Sequence, residues 1–222
     1  AFQAAAAEGF RYFETDVHVT ADGVLVAFHD SLVDRMTQAS GTIAEHSYAE
    51  LRKLLIDGRY HIPTMAELLA AFPDAFFNID LKAPRTPTAL AQVIREADAY
   101  SRVLVTSFSL RRLRRFRREI GRGVAQGAGT LVVAAQLALF RLGIAARLSR
   151  AVALQVPVEM GPIKVVTRRF IKAAHRAGLK VHVWTINDPA QMHRLIDLGV
   201  DGIISDRIDA LKEVCLARGI WF

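Results

Sequence analysis

Short apolar runs of strand type alternate with helical patterns along almost the whole chain, and this alternation restricts the possible folds more than any other feature. Strands that alternate with helices predict a parallel sheet in an α/β protein. The strand-like runs lie at residues 12–18, 76–81, 103–107, 124–126, 152–156, 181–185 and 202–205. The helical patterns lie at residues 88–97, 110–120, 131–148, 167–177, 189–198 and 208–218. These seven strands fall one short of a (β/α)8, or TIM, barrel.

The alternation is interrupted between Val24 and Met65. Residues 24–28 form a short alternating run after an Asp-Gly turn, and residues 47–55 have the pattern of a small helix. Thr64 and Glu67 have the spacing of a capping box, which opens the next helix. We therefore expect an excursion over residues 24–64, on the side of the barrel where such folds hold their catalytic groups.

Length and composition predict one ordinary globular domain. The 222 residues are enough for a single barrel domain over residues 1–222. A hydrophobic content of 52% and a charged content of 23% are those of a soluble globular protein. Cys215 is the only cysteine, which excludes an intrachain disulfide, and its apolar neighbours favour a buried side chain over a reactive thiol.

The positive charge is concentrated in one short segment. Residues 111–122 hold seven arginines and one glutamate, so they carry +6 of the chain's net charge of +7. Such local charge does not predict a protein that coats nucleic acid. It fits either a solvated helix face, with apolar residues turned inward, or a peripheral contact with an anionic membrane. The apolar run 131–140 is too short to span a bilayer and predicts a buried or partly exposed helix, with interfacial docking as the alternative.

The run Phe-Glu-Thr-Asp-Val-His-Val-Thr-Ala-Asp-Gly-Val-Leu-Val-Ala-Phe-His-Asp, residues 13–30, contains the clearest chemical signal. Glu14 and Asp16 are two apart on a predicted strand, so their carboxylates share one face and form half of a site for a hard divalent cation. His29 follows on the next extended segment and can donate or accept a proton there. Asp80 and Lys82 repeat the same spacing on a second strand.

These residues resemble the glycerophosphodiester phosphodiesterase family. Its pattern runs Glu-x-Asp-Val, Thr-x-Asp-Gly and His-Asp, followed by a strand with an acidic residue two before a lysine. Near its end it has a Trp-Thr-x-Asn segment and a Gly-Val-Asp-Gly-Ile segment. The chain contains these motifs in the same order, the last two within residues 183–187 and 199–206. The resemblance extends over nearly the whole chain.

The chain starts late compared with that family. Residues 1–10 have the composition of the last turns of an alanine-rich helix that stops at Gly9. The resemblance implies an earlier strand with a His-Arg-Gly segment, and a Glu-Asn-Thr segment at the entrance of this helix. We therefore expect a barrel that lacks its first strand in this chain, with one of two catalytic histidines outside it. Residues 1–222 alone should be poorly soluble and inactive. About thirty further native residues should restore both solubility and activity.

The resemblance also implies the site residues. A divalent metal ion, Mg²⁺ or Ca²⁺, would be held by Glu14, Asp16 and Asp80. Asp80 departs from the family, which usually has a glutamate there, so the metal could shift or a water could bridge the gap. His29 is implied as the catalytic acid or base. The remaining candidates bind substrate, as a phosphate contact (Lys82) and as a wall against the glycerol or alcohol group (Trp184).

The function implied is the metal-dependent hydrolysis of glycerophosphodiesters, the small molecules left when phospholipids lose their acyl chains, to glycerol 3-phosphate and an alcohol. Two alternatives stay open. One is a lysophospholipase D-type phosphodiesterase that acts at a membrane surface. The other is a catalytically inactive barrel that serves as a binding module. The sequence has no phosphate loop, zinc-binding helix or cysteine pair that would indicate a different chemistry.

Overall fold

The computed structural model describes residues 1–221, which form two compact units. The N-terminal unit is Arg11–Ala125, and the C-terminal unit is Ala1–Phe10 together with the residues from Gln126 onward. The α-helices are α1 (Phe2–Ala7), α2 (Tyr48–Leu51), α3 (Met65–Ala71), α4 (Thr86–Glu96), α5 (Leu110–Ile120), α6 (Thr130–Arg141), α7 (Arg168–Arg176), α8 (Pro189–Leu198) and α9 (Ile208–Ala217). The β-strands are β1 (Tyr12–Val19), β2 (Leu25–Ala27), β3 (Leu55–Ile56), β4 (Tyr60–His61), β5 (Phe76–Leu81), β6 (Val103–Thr106), β7 (Ala125–Gln126), β8 (Ala153–Val156), β9 (Glu159–Met160), β10 (Ile163–Lys164), β11 (Lys180–Val183) and β12 (Gly202–Ile203). Short 3₁₀ helices cover Ile43–Glu45 and Tyr100–Arg102.

The N-terminal unit is built on a sheet with the strand order β2-β1-β5-β6-β7. β1 is parallel to β5, and β5 is parallel to β6, as the alternation of strands and helices predicts. Val17, Ile79 and Val105 are completely buried at the centre of these strands. β-Branched residues suit this position because they pack well on a pleated surface. β7 is the last strand of the sheet and lies where the two units meet in the sequence.

The predicted excursion has a small core of its own. β2 folds back antiparallel on the end of β1, and the capping boxes Ser47–Glu50 and Thr64–Glu67 open α2 and α3. The hairpin of β3 and β4 was not predicted, because two-residue strands are too short to show a periodic pattern. The residues of this core are Val26, Phe28, Val33, Ile43, Leu51 and Ile62, all of them buried.

The C-terminal unit contains a three-stranded parallel sheet in the order β12-β11-β8. Its core includes Val156, Val183 and Phe170, which belong to a single cluster of buried side chains. Asp188 caps α8 by accepting a hydrogen bond from the Gln191 amide at 2.9 Å. The short hairpin of β9 and β10 was not predicted from the sequence.

The prediction for α6 was wrong in length. A helix was expected over residues 131–148, whereas α6 ends at Arg141. Gly143 adopts a positive φ of 82°, which ends the helix, and the chain then turns back toward it. There the Gln136 side-chain amide donates to the carbonyl of Ala146 and accepts from the amide of Leu148. The single polar residue in the apolar run thus holds the following turn.

The first ten residues are anchored within the C-terminal unit. α1 is followed by Gly9 at a φ of 93°, which confirms the predicted stop. The Phe10 ring meets the Trp221 ring edge to face at 4.9 Å, and Lys212 pairs with Glu8 at 2.8 Å. In the part of the chain from 1 to 221, no helix combines the length and the apolar composition needed to cross a membrane.

Candidate active site

Two aspartates and a lysine meet on one face of two adjacent strands. Asp16 of β1 and Asp80 of β5 are direct partners in the parallel register, so their side chains point to the same face of the sheet. Lys82 follows β5, and its Nζ lies 2.9 Å from Asp16 Oδ1 and 2.8 Å from Asp80 Oδ2. We call these three residues the strand cluster. The two-residue spacing puts Asp80 and Lys82 on one face, and the strand register brings Asp16 to the same face.

Burial controls the electrostatics of the strand cluster. Asp16 and Asp80 are only 8% and 6% exposed. Burial raises the pKa of the Asp16 carboxyl, although the hydrogen bond and the charge of Lys82 act in the opposite direction. Burial alone would lower the pKa of Lys82, but its hydrogen bonds to Asp80 and Asp16 outweigh burial and raise that pKa. One ammonium therefore pairs with two buried carboxylates. Because it can neutralise only one of them, the strand cluster favours the approach of a further cation.

His29 lies next to this cluster, on the excursion. Its Nε2 is 3.8 Å from Asp16 Oδ2, and its Nδ1 is 2.6 Å from Asp30 Oδ1. Arg35 Nε donates to the other Asp30 oxygen at 2.6 Å. We call His29, Asp30 and Arg35 the relay segment. Hydrogen bonds from Arg35 and His29 lower the pKa of Asp30 to about 2.

The ionised Asp30 determines which nitrogen of His29 carries hydrogen. A carboxylate can only accept a hydrogen bond, so Nδ1 must donate. In the neutral ring, Nε2 then has the free lone pair, and in the protonated ring it carries the exchangeable proton. The His29 side chain is 72% exposed, so a ligand can reach that nitrogen from solvent. This arrangement suits an acid or base whose reactive atom is Nε2.

His18 connects β1 to the excursion, a contact that the sequence did not reveal. It has the same strand parity as Asp16, and its Nε2 lies 3.3 Å from the carbonyl oxygen of His29. His18 is buried, and burial lowers the pKa of its imidazole. Because a carbonyl only accepts, Nε2 is the donor in this bond. His18 is thus a link that holds the main chain at His29.

A cleft of about 560 Å³ opens at this place in the N-terminal unit. Its lining includes Lys82, His18 and His29, together with five residues of the segment 30–35. Both basic and acidic side chains therefore face the same space. A cleft of this size is ample for a small phosphodiester.

Glu14 shares the face of Asp16 and Asp80 but is exposed and lies in register with Asn78, one step back along the strands. Within residues 1–221, no group of three or more histidine, cysteine, aspartate or glutamate side chains is arranged to hold a metal ion. The donor set nevertheless fits a hard divalent cation in kind, since all three side chains offer carboxylate oxygens. Asp16 and Asp80 already converge on one cation, the Lys82 ammonium.

Trp184 belongs to the C-terminal unit and follows β11, which ends at Val183 and is shorter than the predicted strand 181–185. Its amide donates to the Val156 carbonyl at 3.3 Å, and its side chain is half-buried. Its contact with substrate stays a prediction. The predicted site residues that the N-terminal unit brings together are Asp16, His29, Asp80 and Lys82.

Arg112 binds the main chain at Lys82 and so supports the strand cluster, a contact that the sequence did not show. α5 spans the predicted residues 110–120, but Arg112 turns inward from it. Its Nε donates to Ser107 Oγ at 2.9 Å, and its guanidinium also donates to the carbonyl of Lys82. In the sequence it is one of seven similar arginines, and no local pattern distinguishes it.

A family profile and a curated relative both match nearly the whole chain, and both point to the same class of enzyme. The profile of the Glycerophosphoryl diester phosphodiesterase family matches residues 1–210. A protein of Mycobacterium tuberculosis named "Probable glycerophosphodiester phosphodiesterase 2" is 42% identical over 225 residues, which cover 100% of this chain and 85% of the relative.

Two solved structures are similar in fold. One, from Silicibacter pomeroyi DSS-3, has a TM-score of 0.80 at 24% identity, and the alignment covers 100% of this chain and 88% of the chain from Silicibacter pomeroyi. The other is a phosphodiesterase of Oleispira antarctica in complex with the product sn-glycerol-3-phosphate, with a TM-score of 0.76 at 22% identity, and it covers 95% of this chain and 87% of its own. These likenesses confirm the α/β barrel class that the alternation of strands and helices predicts.

Proposed function

The chain belongs to the glycerophosphoryl diester phosphodiesterase family and is an enzyme of that class, and we propose that it hydrolyses glycerophosphodiesters with a divalent metal ion and with His29 as acid or base. The products would be glycerol 3-phosphate and an alcohol. The observation that carries the proposal is the position of His29 Nε2, 3.8 Å from an aspartate that also pairs with Lys82 and so adjoins Asp80.

His29 would move the proton. Hydrolysis forms a bond between a water oxygen and phosphorus, while the water gives up a proton to a base or to solvent, and it breaks the bond between phosphorus and the oxygen of the alcohol. That oxygen leaves as an alkoxide unless it receives a proton. A protonated His29 can deliver this proton from Nε2, because Asp30 engages Nδ1 and holds the ring in one orientation. The exposed ring can then exchange a proton with solvent and return to its starting state.

The carboxylates and the ammonium would handle the charge of the phosphate. Asp16 and Asp80, with Glu14 on the same face, would hold Mg²⁺ or Ca²⁺. Such an ion, when bound, neutralises charge that builds on the phosphoryl oxygens. Lys82 would then have fewer negative partners within the protein, and its ammonium would be available to a phosphate oxygen at the edge of the cleft.

The test is an assay of glycerol 3-phosphate release from glycerophosphocholine by the full-length protein, with Mg²⁺ or Ca²⁺ and with chelator. Activity should require the cation. His29→Gln should lower kcat about 10²- to 10⁴-fold, the usual contribution of a general acid or base. His61→Gln is the matched control, because His61 is an exposed histidine of the same unit that bonds only to the carbonyl of Arg52 among the contacts seen.

Two outcomes would contradict the proposal. Turnover that persists under chelator would exclude the metal, and near-normal turnover of His29→Gln would exclude the acid–base role. Lysophosphatidylcholine serves as a second substrate, with choline release as the readout for both substrates, because the acylated substrate yields lysophosphatidic acid and no glycerol 3-phosphate. A clear preference for it would favour the lysophospholipase D alternative.

A further inference from the structure

The arginines of residues 111–122 differ in what they contact. Arg112 and Arg115 are engaged within the N-terminal unit: Arg112 binds Ser107 and the Lys82 carbonyl, and Arg115 reaches the carbonyl of Pro84 at 3.3 Å and Glu119 at 3.8 Å. Another group is exposed. Its guanidinium groups have no hydrogen bond or ion pair with any residue of the described chain, 1–221, and its members are Arg111, Arg114 and Arg118 of α5 and Arg122 just beyond the helix. Arg117, the remaining arginine of α5, is half-buried and has contacts of its own.

Three of the solvated arginines form a stripe. Arg111, Arg114 and Arg118 are spaced at i, i+3 and i+7, so they lie along one face of the helix. All three are exposed, while Leu113 and Phe116 on the other side are buried in the core. At a rise of about 1.5 Å per residue the stripe is roughly 10 Å long. We call these three residues the arginine stripe.

The charge of the stripe is not balanced nearby. Glu119 is the only acidic residue of α5, and it already lies beside Arg115. Like charges three or four positions apart repel each other and weaken a helix. An extended anionic surface laid against the stripe would remove this repulsion and release the counter-ions that otherwise surround the arginines. The geometry therefore indicates a negatively charged partner of low curvature.

An aromatic side chain stands at the N-terminal end of the helix. Phe108 is 56% exposed, and its ring centroid lies 5.5 Å from Lys82 Nζ. An exposed aromatic ring beside a row of basic side chains is typical of a surface that rests at the boundary between lipid headgroups and acyl chains. Phe108 also places that end of the helix next to the strand cluster.

We propose that the arginine stripe and Phe108 form a docking face for membranes that contain anionic phospholipid. The choice of a lipid surface over nucleic acid rests on the proposed function, because glycerophosphodiesters arise where phospholipids lose their acyl chains. Docking would hold the cleft close to the place where its substrate is released. The arginine stripe contains none of the groups that carry out the hydrolysis, whereas Phe108 adjoins Lys82.

The experiment measures co-sedimentation of the full-length protein with phosphatidylcholine vesicles, with and without phosphatidylglycerol. Binding should require phosphatidylglycerol and should weaken between about 0.1 M and 1 M salt, where the screening length falls from about 10 Å to about 3 Å. The triple variant Arg111→Gln, Arg114→Gln, Arg118→Gln should lose about 100-fold in vesicle affinity, because each basic group near such a surface contributes about fivefold. Phe108→Ala should weaken binding further in the triple background.

The matched control removes the same charge elsewhere in the same unit. Arg52→Gln, Lys53→Gln, Arg59→Gln changes three exposed basic residues of the excursion and leaves the net charge equal to that of the stripe variant. This control should keep nearly all of the vesicle binding. Circular dichroism and thermal unfolding should show that both variants are folded.

Three results would overturn the proposal: no binding of the unaltered protein to anionic vesicles, equal losses in the stripe variant and in the control, or tighter binding to DNA than to vesicles at the same salt. Hydrolysis of soluble glycerophosphocholine is followed in the same samples and should be unchanged in the stripe variant. Vesicle binding without any hydrolysis would refute the proposed function and leave the docking face standing.

Discussion

The strand cluster and the relay segment are neighbours, yet their surroundings shift the pKa values of their aspartates in opposite directions. Asp16 and Asp80 sit on paired strands and are almost completely buried, and burial raises the pKa of Asp16. Asp30 is carried by the exposed excursion, where hydrogen bonds from Arg35 and His29 lower its pKa to about 2. Burial thus opposes the charge of Asp16, whereas hydrogen bonding in a solvated place stabilises the charge of Asp30.

This contrast predicts different effects on stability. A change in the strand cluster should lower stability as well as turnover, because the buried carboxylates depend on one ammonium for compensation. A change in the relay segment should be felt mainly in turnover, because solvent can replace the lost contacts but cannot reproduce the orientation of His29.

The largest effect is expected from Lys82→Met. Without the ammonium, two buried carboxylates face each other, and the free energy of unfolding should fall by about 3 kcal/mol. Urea unfolding with chelator present measures this loss. Lys82→Arg should retain most of the stability, and His29→Ala should change it by less than about 0.5 kcal/mol, as expected for an exposed residue.

A variant that also neutralises both carboxylates provides a check on the cause. Lys82→Met combined with Asp16→Asn and Asp80→Asn should be more stable than Lys82→Met alone, because no uncompensated charge stays buried. If the combined variant were less stable, cavity formation rather than charge would explain the loss.

The next effect is expected from Asp30→Asn. This variant removes the charged acceptor of the His29 Nδ1 hydrogen, and kcat should fall about 10- to 100-fold, the size of a charge-assisted hydrogen bond of about 1.5–3 kcal/mol. KM should change little, and the pH profile of kcat should shift because the imidazolium loses its carboxylate. Initial rates on glycerophosphocholine across the pH range measure both. An unchanged pH profile would mean that Asp30 does not act through His29.

The two regions should also respond to pH with opposite sign. The folded pKa of Asp30, about 2, lies below its ordinary value of 3.8, so its contribution to stability is present above pH 3.8 and is lost as the pH falls toward 2. The folded pKa of Asp16 lies above 3.8, so its charge costs stability as the pH rises through that folded value. The free energy of unfolding of Asp30→Asn and of Asp16→Asn, each compared with that of the unaltered protein across the pH range, measures the two contributions. If both differences in free energy changed with pH in the same direction, the contrast between the two regions would be wrong.

The smallest effect is expected from Arg35→Gln. Arg35 is largely exposed, and its pair with Asp30 is a surface contact. The free energy of unfolding should therefore change by no more than about 0.5 kcal/mol. The variant should lower kcat less than Asp30→Asn does, because Asp30 stays in place to accept from His29. A fall in kcat as large as that of Asp30→Asn would show that the arginine itself acts on the substrate.

Much of the fold could be read from local patterns. The alternation of strands and helices predicted the parallel pairing of β1, β5 and β6, and the capping box at Thr64 and Glu67 opens α3 as expected. The limits of α5 and α8 agree with the prediction because periodic apolar residues and end signals coincide there. The end of α6 was missed because the apolar run continues up to it; Gly143 ends the helix, and a hydrogen bond from Gln136 to a residue ten positions later holds the turn that follows.

The sequence by itself determined which side chains share a face: strand parity puts Glu14, Asp16 and His18 on one side of β1, and it puts Asp80 and Lys82 on the matching side of β5. Only the tertiary structure decided how they are used. Strand register places one ammonium between two carboxylates, the folding back of the excursion brings His29 to Asp16, and packing of α5 turns Arg112 inward while Arg114 stays in solvent. The physical reason is that periodicity is a local property of the backbone, whereas burial and charge pairing depend on residues far apart in the chain.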